Sequence, residues 1–166
     1  MTPSSDFTAE KVLGWLEQVS DPEVPVLSIL DLGIVRGVAI DSAGDVTVTI
    51  TPTYSGCPAM DVIAMQIRMV LAAHGIRKVN IEQQLSPAWT TDWMTESGKQ
   101  KLKAYGIAPP QYSANRKRAL FEEETVPCPR CNSENTQLIS GFGATSCKAQ
   151  YQCRHCLEPF EHFKCH

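Results

Sequence analysis

The feature that most restricts this chain is a pair of short knuckles, Cys128-Pro-Arg-Cys131 and Cys153-Arg-His-Cys156. Of the seven cysteines, Cys57 stands alone. Cys128, Cys131, Cys147, Cys153, Cys156 and Cys165 crowd into the last quarter of the sequence. Two CxxC turns can carry four thiolates to the corners of a tetrahedron around one metal ion. The segment between them, 132–152, is slightly longer than the ~15–20 residues usual for paired-knuckle zinc sites. It still suits a zinc ribbon, because "TQLISGFGATSCKAQYQC" supplies strand-forming residues and a glycine-rich turn. A module this small lacks the apolar core to fold alone, and bound metal supplies the missing stability. Cys128, Cys131, Cys153 and Cys156 are therefore the expected ligands, and zinc the expected cofactor. Spacing does not separate zinc from iron or an iron–sulfur cluster, since four cysteines hold any of them.

Four potential ligands in the tail are left over: Cys147, His162, Cys165 and His166. If Cys153–Cys156 is the turn of a hairpin, Cys147 falls roughly opposite His162, with Cys165 and His166 close by. A second metal site could form there. The competing reading makes the two cysteines small buried residues and the histidines surface groups.

An odd number of cysteines argues against a disulfide framework. The opening "MTPSSDFTAEKVLGWL" has no basic stretch followed by a continuous apolar one, so no secretory signal is expected. No apolar run is long enough to cross a bilayer. The expected compartment is the cytoplasm, where thiols stay reduced. A net charge of −3 and a pI near 5.8 give no global attraction to nucleic acid or to an anionic membrane.

Ahead of the tail the pattern is mixed α and β. In "TAEKVLGWLEQV" (8–19), Val12, Leu13, Leu16 and Val19 form one helical stripe, with Thr8 as a cap. Segments 35–40 and 46–51 read as strands of a hairpin around "DSAGD". A helix is predicted over 59–74 with Gly75 ending it, then a strand in "IRKVNIEQQL", then a short helix from about Thr95. The order α-β-β-α-β-(α) predicts a small α+β sandwich over 1–106. A proline- and charge-rich linker is expected over 107–126 and the cysteine-rich module over 127–166. The "RKR" of the linker reads as a solvated charge run rather than a nucleic-acid patch. Trp89 and Trp93 read as core or interface residues.

Cys57 stands in "TPTYSGCP", just before the helix of 59–74. A thiol at a helix N-terminus feels the positive end of the dipole, which favours thiolate. That makes it a candidate metal ligand or acceptor; the alternative is an inert packed thiol. Asp21 and Glu23 of "DPEVP", together with Asp31, could gather near it, although Asp21 could equally cap a turn.

The segments "DPEVPVLSILDLGIVRGV", "VTVTITPTYSGCPAMDVI" and "AWTTDWMTESGKQKLKAYGIAPP" resemble the SufT-like family of metal–sulfur cluster assembly proteins over about residues 8–110. With the tail "CPRCNSENTQLISGFGATSCKAQYQCRHCLEPFEHFKCH", the chain resembles the PaaD-type family, accessory subunits of phenylacetyl-CoA epoxidase systems in aerobic phenylacetate degradation. The resemblance implies a SufT-like iron–sulfur assembly domain followed by a zinc-ribbon-like module. It places the family's cysteine at Cys57, its acidic pair at Asp21 and Glu23, and its threonines at Thr51 and Thr53, a candidate set for transferring iron or a cluster. It implies oxygenase and reductase subunits as partners and leaves homodimer formation open.

No Glu-x-x-His, dinucleotide fingerprint or P-loop occurs. The expectation is a non-catalytic protein that assists iron or iron–sulfur insertion into an oxygenase. Its rivals are a structural or regulatory subunit of the oxygenase complex and, less well supported, a hydrolase or redox enzyme using Cys57.

Overall fold

Val46, Val48 and Ile50 are fully buried and alternate with half-buried threonines, so one face of this strand builds the first core. A computed structural model of the chain describes residues 7–111 and 125–164. The "RKR" run, Cys165 and His166 lie outside the described residues.

The chain divides into two compact units, Met1–Trp89 and Thr90–His166. In the first, helix α1 (Ala9–Leu16) is capped by the Thr8 side chain, which accepts from the Lys11 N–H. Strands β1 (Val35–Ile40) and β2 (Val46–Ile50) pair antiparallel, joined by the predicted turn. Helix α2 (Ala59–Ala73) crosses over to β3 (Val79–Gln83), which pairs parallel with β2, giving the order β1-β2-β3. A parallel neighbour needs such a crossover. Helix α1 packs on α2 and β1, and α2 packs on β3. Ile63, Ile67 and Leu71 of α2 recur every four residues and are all fully buried, as a one-faced helix requires. Trp89 joins this unit's core and donates its indole N–H to the Leu32 carbonyl at 2.8 Å. Trp93, by contrast, stands half-buried in the second unit.

The second unit begins with a 3-10 turn, Thr91–Trp93, and helix α3 (Glu96–Tyr105), whose cap Thr95 accepts from the Gly98 N–H. Gly106 ends α3 at φ 94°, a left-handed conformation that glycine adopts without a side-chain clash. Strand β4 (Ile107–Ala108) follows at once and pairs parallel with β7 (Pro159–Phe163). Strands β5 (Thr136–Ser140) and β6 (Lys148–Cys153) complete a sheet of order β4-β7-β6-β5. Composition marked 107 as the start of a linker. In the structure Ile107 and Ala108 are buried, and their backbone pairing draws the helix before them into the second unit.

Within β6 and β7 the buried Lys148 ammonium meets Glu161 Oε2 at 2.8 Å. Glu161 Oε1 accepts the Ala144 N–H, so one carboxylate pins the hairpin loop to the sheet.

Truncating a fully buried α2 residue should expose how strongly the first unit depends on its small core. Ile67→Ala should lower its unfolding free energy by about 2–5 kcal/mol. Urea unfolding followed by tryptophan fluorescence reads the shift; an unchanged midpoint would remove Ile67 from the core.

Candidate metal centre and thiol site

Both knuckles are built by the same local geometry. The N–H of Cys128 bonds the Ser133 carbonyl at 2.9 Å, and that of Cys153 bonds the Glu158 carbonyl at 3.0 Å. The residue after each second cysteine turns left-handed, Asn132 at φ 60° and Leu157 at φ 66°. Asparagine tolerates that conformation; leucine does so only where the surrounding turn enforces it. The backbone N–H groups of His155 and Cys156 both point at Cys153 Sγ from 3.4 Å.

The two turns bring Cys128, Cys131, Cys153 and Cys156 together, with all four sulfurs within 4.8 Å of one another. Cys128 and Cys156 sulfurs are 3.8 Å apart, and those of Cys131 and Cys153 are 3.6 Å apart. Four sulfurs each ~2.3 Å from a tetrahedral zinc stand about 3.8 Å from one another. The donor set and its spacing thus fit a closed four-thiolate ion. Cys128 and Cys153 are fully buried and sit in the small cluster of Ala108, Val126, Ala149, Tyr151 and Phe160. The ligands are also part of the core.

Thiols this close cannot all ionise without a cation. The N–H of Cys156, assisted by that of His155 and by the neighbouring thiols, outweighs burial and brings Cys153 down to about 6. At Cys156 the Glu158 backbone contact works downward. Burial and the sulfurs of Cys153, Cys131 and Cys128 outweigh it and push the thiol up to about 12. A divalent ion reverses this competition by stabilising every thiolate together, so its binding expels protons.

Neither Cys147 nor His162 joins this centre. The register pairs His162 with Ala149, and the Lys164 N–H bonds the Cys147 carbonyl at 2.9 Å, so Cys147 stands across from Lys164 rather than His162. The reason is the length of the turn, which starts β7 at Pro159 opposite Gln152. Cys147 Sγ lies 3.0 Å from Thr145 Oγ1. The buried His162 ring sits edge-on to Tyr151, with Nδ1 3.1 Å from the Ala108 carbonyl. Among the described residues, only the four knuckle cysteines form a group able to hold a metal. Cys165 and His166, the other half of the expected second site, fall outside them.

In the first unit, Cys57 is half-buried in the turn between β2 and α2, where its N–H bonds the Tyr54 carbonyl. The expectation of a favoured thiolate is corrected here. Burial pushes the Cys57 thiol up, against the pull of the Ala59 backbone N–H and the Tyr54 side chain. The carboxylates of Glu23 and Asp21 add to the rise. The helix end does supply an N–H, but desolvation and two nearby negative charges outweigh it.

Asp21 both caps and contributes. Its Oδ1 accepts from the N–H groups of Glu23 and Val24, each at 2.8 Å, which holds the DPE turn in place. Asp31 is engaged by Ser28, through its N–H and hydroxyl at 3.1 Å each. Thr51 is buried with no hydrogen-bond partner for its hydroxyl among the described residues, while Thr53 is half-buried. Sequence reasoning missed Tyr54; its position three residues before Cys57 in a turn was the available signal.

Comparison with known proteins follows this division. The chain is 49% identical over 150 residues to an Escherichia coli protein named as one of the subunits of a "Putative 1,2-phenylacetyl-CoA epoxidase", covering 90% of this chain and 88% of that one. The chain belongs to the PaaD family. Its residues 113–164 match the family described as "PaaD zinc beta ribbon domain", and residues 9–82 match "Iron-sulfur cluster assembly protein". A Porphyromonas gingivalis "Fe-S protein maturation auxiliary factor" is 38% identical over 96 residues, covering 57% of this chain and 90% of that one. The crystal structure of a "Domain of Unknown Function DUF59" from Bacillus anthracis aligns with a TM-score of 0.54 at 28% identity, covering 57% of this chain and 90% of that one. This PaaD-family chain therefore joins an α+β assembly-type domain to a zinc-ribbon-type domain. Among the described residues, no helix is long and apolar enough to cross a membrane.

Two outcomes are expected of these sites. Chelation at neutral pH should collapse the dispersed NMR signals of residues 125–164 while those of 7–89 persist, and acidification should promote metal release because protons compete for the thiolates. Persistence of both sets after complete metal removal would show that the ribbon's core suffices. At Cys57, Glu23→Gln should speed alkylation at pH 8 by lowering the thiol's pKa, and Tyr54→Phe should slow it; mass spectrometry of the labelled protein reads both. Rates that ignore Glu23 would mean that burial alone governs the thiol.

Proposed function

We propose that this PaaD-family chain is a non-catalytic accessory protein that assists insertion of iron or an iron–sulfur cluster into a phenylacetyl-CoA epoxidase. The observation that carries this reading is electrostatic: Cys57, in the turn before α2, feels the carboxylates of Glu23 and Asp21, a looser set than the knuckle cysteines. Such a set offers one soft and two hard donors, suited to holding iron briefly as cargo. The thiol stays largely protonated in the absence of that cargo, and an incoming cation offsets the carboxylate charge that keeps it so. Thr51 and Thr53 are assigned to the same transfer set, with the unpartnered Thr51 hydroxyl as an additional oxygen donor.

The ribbon has a separate task in this reading. Cys128, Cys131, Cys153 and Cys156 hold zinc as a structural ion, which supplies no open coordination position for chemistry. The match to a zinc ribbon family supports zinc, and the sulfur spacing suits one tetrahedral ion rather than a cluster. Partners are the oxygenase and reductase subunits of the epoxidase system, and the setting is cytoplasmic. The second reading is a structural or regulatory subunit that stays bound to the oxygenase. It draws on the Escherichia coli relative, which is named as a subunit and matches along most of its length.

Metal analysis separates the two. Oxygenase isolated from cells lacking this chain should be normal in amount but depleted in iron or clusters, and Cys57→Ser should reproduce much of that deficit. Fully loaded oxygenase whose activity returns only while this chain remains bound would replace the maturation reading with the structural one.

A further inference from the structure

A groove of about 490 Å³ opens within the second unit. It is lined by Gln100, Lys103, Ala104, Tyr105 and Gly106 from the end of α3 and by Pro129 and Arg130 of the first knuckle. Its two charged residues are both cations, and neither Lys103 nor Arg130 forms an ion pair with a described residue. The acid on this helix, Glu96, stands at its opposite end beside Lys99. Arg130 lies over the helix end, its Nη2 4.0 Å from where a Cβ on Gly106 would sit. Tyr105 is 59% exposed and offers, with Pro129 and Ala104, an apolar wall beside the charges.

We propose that this groove binds an acidic segment of a partner protein, with a carboxylate on Arg130 and Lys103 and a neighbouring apolar side chain against Tyr105 and Pro129. The planar fork of arginine matches a carboxylate in two parallel hydrogen bonds, and lysine adds a mobile point charge. A phosphate dianion suits the groove less well. The helix end presented here is a C-terminus, whose dipole opposes a dianion more strongly than a single carboxylate. Its Gly106 N–H already donates to the Leu102 and Lys103 carbonyls and is not free for a phosphate. A volume of this size with one apolar wall takes two or three side chains rather than a lone ion. Arg130 stands between two metal-site cysteines, so the fold of the knuckle fixes its backbone; the site therefore needs the intact ribbon.

The test uses the full-length, metal-loaded protein and three probes: a short peptide alternating glutamate and leucine, its glutamine counterpart, and inorganic phosphate. Titration followed by NMR should shift the backbone amides of Gly106 and Arg130 with the acidic peptide. Arg130→Gln and Lys103→Gln should each weaken binding about tenfold, the order expected for a charge-assisted hydrogen bond. Replacing the peptide's glutamates with glutamine should weaken it at least as much, and Lys78→Gln in the other unit should leave it unchanged. Should Arg130→Gln disturb the metal content, Lys103→Gln, on the exposed face of α3, carries the test. Phosphate shifting the same amides at equal concentration would assign the groove to phosphate and overturn the peptide. Equal weakening by Lys78→Gln would reduce the attraction to overall charge, and absence of binding at millimolar peptide would refute the site.

Discussion

Mutual repulsion among four sulfurs governs the second half of this molecule. Cys128, Cys131, Cys153 and Cys156 occupy a volume that four thiols can share but four thiolates cannot, unless a cation lies between them. Two of the sulfurs also belong to the buried cluster with Tyr151 and Phe160. Ligand binding and core formation are therefore one equilibrium in the ribbon. The left-handed turns at Asn132 and Leu157 belong to the same arrangement, as does the N–H donation that lowers the pKa of Cys153.

The first unit has the opposite logic. Its core is built from aliphatic side chains, those of α1, β2 and α2 among them. What it keeps polar is concentrated near the start of α2, where the DPE turn is braced by Asp21 and the thiol of Cys57 is held between opposing influences. Burial and the acids favour the neutral thiol; Tyr54 and the helix N–H favour the anion. Such a balance responds to an approaching cation more sharply than an exposed thiol would, because the cation changes the sign of the local field. In the function proposed for this PaaD-family chain, the structural metal and the cargo fall to different units, which rest on different physics.

Much of the local structure was legible along the chain. Thr8 and Thr95 cap the helices that their positions suggested, and Gly75 follows the end of α2 in a left-handed conformation. The hairpin of β1 and β2 spans almost the residues that alternation marked. Three features were not legible. Ile107–Ala108 reads as the start of a proline-rich linker, and only its pairing with β7 makes it a strand. The register expected for Cys147 was off by two positions, Lys164 rather than His162 lying across from it, because register depends on how many residues the turn consumes. The thiolate expected at Cys57 was reversed by burial and by acids more than thirty residues earlier in the sequence.

The sequence by itself determined the ligand chemistry: two CxxC knuckles, their separation, and a lone cysteine before a helix. These follow from residue identity and short spacing, which covalent geometry transmits directly to the turn. Tertiary structure alone decided which charges surround Cys57, which groups occupy Asp31 and His162, and that Arg130 meets Lys103 across a groove. Desolvation and Coulomb interactions act through space, and the distances on which they depend exist only once remote segments have packed.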